Sequence, residues 1–232
     1  MKKFAENMLD FIYESPTQFN AVEVSAETLE KNGFEKLNPK ENWKLEVGKK
    51  YYTTKNSSAL VAFKVNSDEV EKEGFRIIGS HTDSPGFRIK PNAEMESCGA
   101  YLKLNTEGYG GMILSTWLDR PLAMAGRVFL RGENPFKPVE KIVNINKPVC
   151  IIPNLAIHMN RSINDGYKYN KQTDMHPLVG LINEQLEKDN YMVKLLASEL
   201  DVEVEEIIDF DIFLYEYIER LSNLPVDMNS SL

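Results

Sequence analysis

Scarcity marks this sequence more than abundance does. It has only 2 cysteines in 232 residues, Cys98 and Cys150, far apart in the chain. A disulfide framework is therefore not implied, both thiols read as small core or surface residues, and a reducing, cytoplasmic setting is expected. No apolar run approaches the length of a membrane span. The amino-terminal stretch has two lysines but no continuous apolar core, so it does not read as a signal peptide. Positive charge is in deficit: Lys+Arg number 27 against 35 Asp+Glu, a formal net charge of −8. A nucleic acid or an anionic membrane needs a basic footprint, so neither is expected as a partner. There is no glycine-rich phosphate loop, no Gly-x-Ser-x-Gly elbow and no Cys-x-x-Cys pair, which removes support for those chemistries. Histidine is rare as well, with 3 in the chain.

One of those histidines stands in the most informative stretch, GSHTDSPGFR at 79–88. A short apolar run over 75–78 leads into it, and Gly and Pro bracket it. The spacing predicts a strand over 75–80 that ends by pointing the His81 imidazole into a cleft. A neutral imidazole is a good zinc ligand, and Asp83 could fix its tautomer. The bland alternatives are a satisfied histidine at a strand end and a turn-forming Asp before Ser84-Pro85.

The remaining pattern reads as α/β. Phe4, Met8, Leu9 and Ile12 recur at helical spacing, and Ser15-Pro16 closes that helix. Ser25 is placed to cap a second helix over 26–31, which stops at Asn32-Gly33. A short strand is expected over 51–54. The nearly unbroken apolar run at 59–65 suits a strand buried on both faces. Beyond Pro91 the texture becomes β-rich, with short Val, Ile, Leu and Tyr segments at 100–105, 111–118, 126–131, 139–145 and 148–153. Residues 154–177 are polar and irregular. Helical periodicity returns at 190–200, a short helix is expected near 203–208, and an alternating strand at 210–215. His176 reads as a surface-loop residue, Asp119-Arg120 as a structural turn or ion pair, and Trp117, Tyr109 and Gly110-Gly111 as packing and backbone features. Glu205-Glu206 reads as a solvated face.

Several long segments together resemble one family. GSHTDSPGFRIKPN (79–92) is similar to the metal-site motif of the aspartyl aminopeptidase and aminopeptidase I family of zinc metallopeptidases. YGGMILSTWLDRPLAMAGRV (109–128) resembles its glycine-rich, Trp-x-Asp-Arg segment, and IPNLAIHMNR (152–161) its histidine-bearing segment. DFDIFLYE (209–216) resembles the strand by which its chain returns to the catalytic domain.

The resemblance implies an incomplete zinc-peptidase-like α/β sheet domain interrupted by a β-rich dimerisation domain. The corresponding bounds are 1–90 for the first part of the catalytic domain, 91–205 for the insertion and 206–232 for the return. It implies enzymes that remove N-terminal, often acidic, residues from peptides with two zinc ions, and that assemble as large homo-oligomers. On that likeness His81 is a metal ligand and Asp83 is the catalytic-site carboxylate that orients it. His158 is lent to a neighbouring subunit to hold substrate, as a donor to the carbonyl oxygen where negative charge builds. On its own, His158 in the apolar run 155–159 would read as structural.

The chain also departs from the family's pattern. A bridging Asp belongs in the family's Arg-Leu-Asp-Asn-Leu segment, where this chain has Arg220-Leu221-Ser222-Asn223-Leu224. A neutral hydroxyl at Ser222 cannot offset the repulsion of two dications. The family's remaining ligands and its glutamate base lie beyond Leu232. The expectation is an aminopeptidase by descent with little activity as this chain. The alternative is a non-catalytic self-association or assembly module.

Overall fold

The computed structural model describes residues 2–183, 186 and 189–218. Ser222 and its neighbours lie outside the described residues. Among those described, no helix is long and apolar enough to cross a membrane.

The chain opens with α1 (Lys2–Glu14) and α2 (Gln18–Lys31). α2 begins well before the expected Ser25. Thr17 has extended backbone, and its hydroxyl accepts from the Asn20 N–H, so Thr17 caps the helix directly after Pro16. That longer helix buries Phe19, Ala21 and Val22. Asn32 and Gly33 end it as expected, Gly33 taking a positive φ.

A small sheet follows, in the order β1 (Glu35–Lys36), β2 (Lys50–Lys55), β3 (Ala59–Lys64). β2 buries Tyr51 and Tyr52, while β3 pairs antiparallel with β2 and lies largely in the open. The expectation that 59–65 would be covered on both faces is therefore corrected. Apolar composition made the strand, but α2 and Trp43 cover it only in part. A single helical turn, α3 (Val70–Glu73), leads to a second correction. Residues 75–85 belong to no strand. A strand is a property of a pair, and the 75–80 segment has no ladder partner among the described residues.

The larger unit is a closed barrel, ordered β4 (Gly86–Ser97), β5 (Tyr101–Tyr109), β8 (Leu178–Leu181), β7 (Val139–Ile151), β6 (Pro121–Leu130), β9 (Ile207–Glu216), with β9 returning to β4. Every adjacent pair is antiparallel. The segments expected at 139–145 and 148–153 are one continuous strand, and 114–117 is a 3-10 turn instead of a strand. Closure removes free sheet edges.

Alternation along β6 and β9 explains how the two units join. Leu122, Met124, Val128, Ile212 and Leu214 face the barrel core. The small Ala123 and Ala125 fall on the opposite face, where α2 packs, and Phe213 meets Phe19 at 6.3 Å between ring centroids. α4 (Tyr191–Leu200) contributes Met192 and Leu196 to the core. The 3-10 turn Val204–Glu206 carries a capping box between Glu203 and Glu206, a local structural use of the acidic cluster.

Candidate functional site

The loop 79–85 is held at three points by groups far from it in sequence. Thr82 Oγ1 donates to the Ser58 carbonyl at 2.6 Å, tying the loop to the β2–β3 turn. Tyr109, the last residue of β5, donates its hydroxyl to Asp83 Oδ2 at 2.8 Å. Pro85 packs against Gly110, whose positive φ lets the chain leave β5 beside it.

His81 and Asp83 come together. The imidazole Nδ1 lies 2.7 Å from the Asp83 backbone oxygen and 3.2 Å from Oδ1. Both partners are acceptors, so Nδ1 carries the proton and donates, which leaves the Nε2 lone pair free. That is the tautomer a metal-ligating histidine needs, and a carboxylate partner is its usual means of selection. The expected direction of the ring is corrected, however. The His81 side chain is 80% exposed. A cleft of about 300 Å³ opens nearby, walled by Ser84, Pro85, Gly86, Trp117 and the Arg120–Glu216 ion pair, yet neither His81 nor Asp83 lines it. The 75–80 segment is unpaired among the described residues, and none of their strands supplies a wall on the imidazole's side.

The Tyr109 hydroxyl is the foremost reason that the Asp83 carboxyl sits below the usual carboxylate range, assisted by His81, while partial burial works against the shift. The same bond pushes the Tyr109 phenol upward. Sequence reasoning missed this role for Tyr109, because 26 residues separate the partners and no local pattern announces the contact. Asp83 titrates lower folded than unfolded, so its contribution to stability is complete above the ordinary carboxylate range. It is lost as pH falls through the lowered value. Tyr109→Phe should therefore raise the Asp83 pKa in a carboxyl-carbon NMR titration and cost under about 1 kcal/mol at neutral pH, since solvent reaches the pair. The stability gap between the two proteins should close in acid; a gap independent of pH would show that the bond does not act on Asp83.

His158 is not brought to this corner by any recorded bond. It stands in the loop 153–159, every residue of which is exposed, between the apolar Ile157 and Met159. His176 is buried, contrary to the surface-loop expectation; its Nε2 meets the Gln172 carbonyl and its Nδ1 has no hydrogen-bond partner among the described residues. Asp119 is structural, as expected: with positive φ, it accepts from the Asn154 N–H at 2.8 Å. Trp117 packs edge-on to Phe87. Cys98 and Cys150 are both free thiols, and burial pushes the Cys150 thiol up to about 12, which makes it inert.

Among the described residues no group of three or more His, Cys, Asp and Glu side chains converges as a metal site. A zinc ion takes about four ligands, so the His81 corner fits one vertex of such a site and does not make a complete one.

Comparison with known proteins places this arrangement. A family model described as "Aminopeptidase I zinc metalloprotease (M18)" matches residues 11–220. "Probable M18 family aminopeptidase 2" of Clostridium novyi (strain NT) is 62% identical over 215 residues, covering 93% of this chain and 50% of that protein. Among solved structures, a chain in the cryo-EM structure of the Ape4 and Nbr1 complex matches with a TM-score of 0.87 at 35% identity, over 94% of this chain and 45% of that one. A chain of the S. cerevisiae mApe1 dodecamer matches with a TM-score of 0.76 at 27% identity, over 93% and 48% respectively. The chain spans about half the length of the curated relatives it matches.

Proposed function

Because the chain belongs to the aminopeptidase I zinc metalloprotease (M18) family, we propose that it carries one vertex and one substrate-holding loop of an aminopeptidase that removes N-terminal, preferentially acidic, residues from peptides. The observation that supports this most directly is the imidazole of His81, with Nδ1 donating to Asp83 and Nε2 left free. In this reading His81 supplies one ligand to zinc, and Asp83 fixes the ring's orientation with Tyr109 behind it. When bound, the metal would polarise the scissile carbonyl and activate water. His158, on its exposed loop, serves the site of a neighbouring copy in a homo-oligomer. Free thiols at Cys98 and Cys150 are in keeping with a reducing cytoplasm.

In this reading the described residues supply too few ligands for turnover, and the chain by itself has little activity. Purified chain given zinc, manganese or cobalt should release no amino acid above background from peptides beginning with Asp or Leu. Robust turnover would overturn the incompleteness. The activity itself is tested by replacing the matched half of the Clostridium novyi relative with this chain. The hybrid should hydrolyse Asp-initiated peptides faster than Leu-initiated ones. His81→Ala in the hybrid should cut kcat/KM by at least about a hundredfold, the scale on which metal-orienting groups act. A hybrid that folds and assembles but has no peptidase activity, or one indifferent to His81, would sink the reading.

A further inference from the structure

Two places in the chain set a side-chain carbonyl directly before glycine, Asn32-Gly33 and Asp165-Gly166. At such a pair the glycine nitrogen can attack the neighbouring side-chain carbon, because no Cβ hinders its approach. By sequence alone the asparagine pair is the more reactive, since an amide loses ammonia more readily than a carboxyl loses water at neutral pH. The structure reverses that order. Asn32 ends α2, its Nδ2 donates to the Thr28 carbonyl at 2.8 Å, and the Gly33 N–H donates to the Glu30 carbonyl at 3.0 Å. Both reacting groups are thus engaged in closing the helix. Asp165 instead ends the 3-10 turn Ile163–Asp165 on an exposed loop, and Gly166 follows with a φ of 95°. Among the described residues, neither the Asp165 carboxyl nor the Gly166 N–H has a hydrogen-bond partner. A Cβ at Gly166 would meet nothing within 4 Å, so the approach is open. The Asp165 N–H bond to the Ser162 carbonyl at 2.9 Å is what must give way, and a solvent-exposed turn opens at small cost.

We propose that Asp165 is a modification site, the place where the folded chain converts spontaneously to isoaspartate. The Gly166 nitrogen bonds to Asp165 Cγ, and the hydroxyl of the protonated carboxyl leaves as water with the amide proton. Water then opens the five-membered imide. Cleavage of the new bond to Cγ restores aspartate. Cleavage of the bond to the backbone carbonyl leaves the chain running through the side chain, which is isoaspartate. The water lost is regained, so the net change is an isomerisation that adds a methylene to the backbone. That methylene falls between His158 and the Tyr167–Asp174 bond of 3.0 Å, and it lengthens the path just after the loop that presents His158.

The test is to age the purified chain at neutral pH in heavy-oxygen water, folded or in guanidinium, and to locate the label by peptide mass spectrometry. Isoaspartate is counted with an isoaspartyl carboxyl methyltransferase and a labelled methyl donor. The folded chain should gain heavy oxygen and isoaspartate at Asp165 while Asn32 stays unchanged. In guanidinium the order should invert, with Asn32 reacting at least about tenfold faster than in the folded chain, because unfolding frees the bonds that hold it. Asp165→Glu should abolish the folded-state product, since a six-membered imide closes far more slowly. It should leave the unfolding temperature unchanged, because the carboxyl it replaces has no partner among the described residues. A folded chain in which Asn32 reacts first, or in which neither site reacts, overturns the proposal. So does an Asp165→Glu variant that accumulates isoaspartate as fast as the original chain.

Discussion

Gly126→Ala is expected to lower the unfolding temperature by about 6–12 °C, corresponding to about 3 kcal/mol for a domain of this size. Gly126 lies in the middle of β6, opposite Ile212 of β9. A Cβ there would stand 2.0 Å from the Asp211 carbonyl oxygen and 3.0 Å from the Ile212 Cα. Both obstacles are backbone. No rotamer change relieves them, so the two strands must part, and the barrel must lose ladder bonds where it closes. Gly108→Ala is the matched control. Its Cβ would stand 2.9 Å from Lys171 Nζ, the far end of a flexible side chain that can swing aside. That variant should lose less than about 1 kcal/mol. Thermal and urea unfolding of the two variants would separate them; equal losses would mean that β6 and β9 can give way at this point.

Much of the local structure was legible, and the reasons differ by element. The apolar spacing of Phe4, Met8 and Ile12 marked α1, and the Met192–Leu196 period marked α4, because a helix depends on nearby residues. The start of α2 had its signal in Thr17 directly after Pro16, but the polar Gln18 and Asn20 disguised it; Asn20 is buried and bonded to the capping Thr17. Barrel closure was not legible, because β9 finds β4 across more than a hundred residues and β6 across a gap nearly as long, and no local pattern names a partner. The unpaired 75–80 segment shows the converse. Its composition reads as strand material, yet it forms no strand, because a strand needs a partner and this segment has none among the described residues. At the site, His81 and Asp83 are two positions apart and were legible as a pair. Thr82 to Ser58 and Tyr109 to Asp83 are contacts made by the fold, and only the structure reveals them.

The second large effect concerns the bond network that ties the motif's support to the barrel. Asp211 on β9 receives Arg127 Nε at 3.0 Å and Nη2 at 2.8 Å on one oxygen, and Arg88 on the other. Arg127 also donates Nη1 to the Asn56 carbonyl at 3.0 Å, in the turn whose Ser58 holds Thr82. Its guanidinium lies 4.4 Å from the Phe19 ring centroid and 4.9 Å from that of Phe129. One cation thus joins α2, the β2–β3 turn and the barrel. The Asp211 and Arg127 side chains are 16% and 19% exposed, so removing the carboxylate leaves a guanidinium that water reaches poorly and that keeps only the longer ion pair to Glu140 at 3.6 Å. Breaking fully buried pairs costs about 3–5 kcal/mol; the partial exposure here reduces the expectation for Asp211→Ala to about 2–3 kcal/mol. Arg88 softens the loss little, because it is more exposed and keeps Glu107 at 3.5 Å. Arg127→Ala should cost a similar amount, and the double variant should fall well short of the sum, with a coupling of at least about 1 kcal/mol. Amide exchange should quicken at 56–58 and 79–85 in either single variant, because the turn loses its anchor and the motif loop hangs from that turn. Additive losses with unchanged exchange at the motif would show that the network stabilises the barrel alone, and that the placement of His81 does not depend on it.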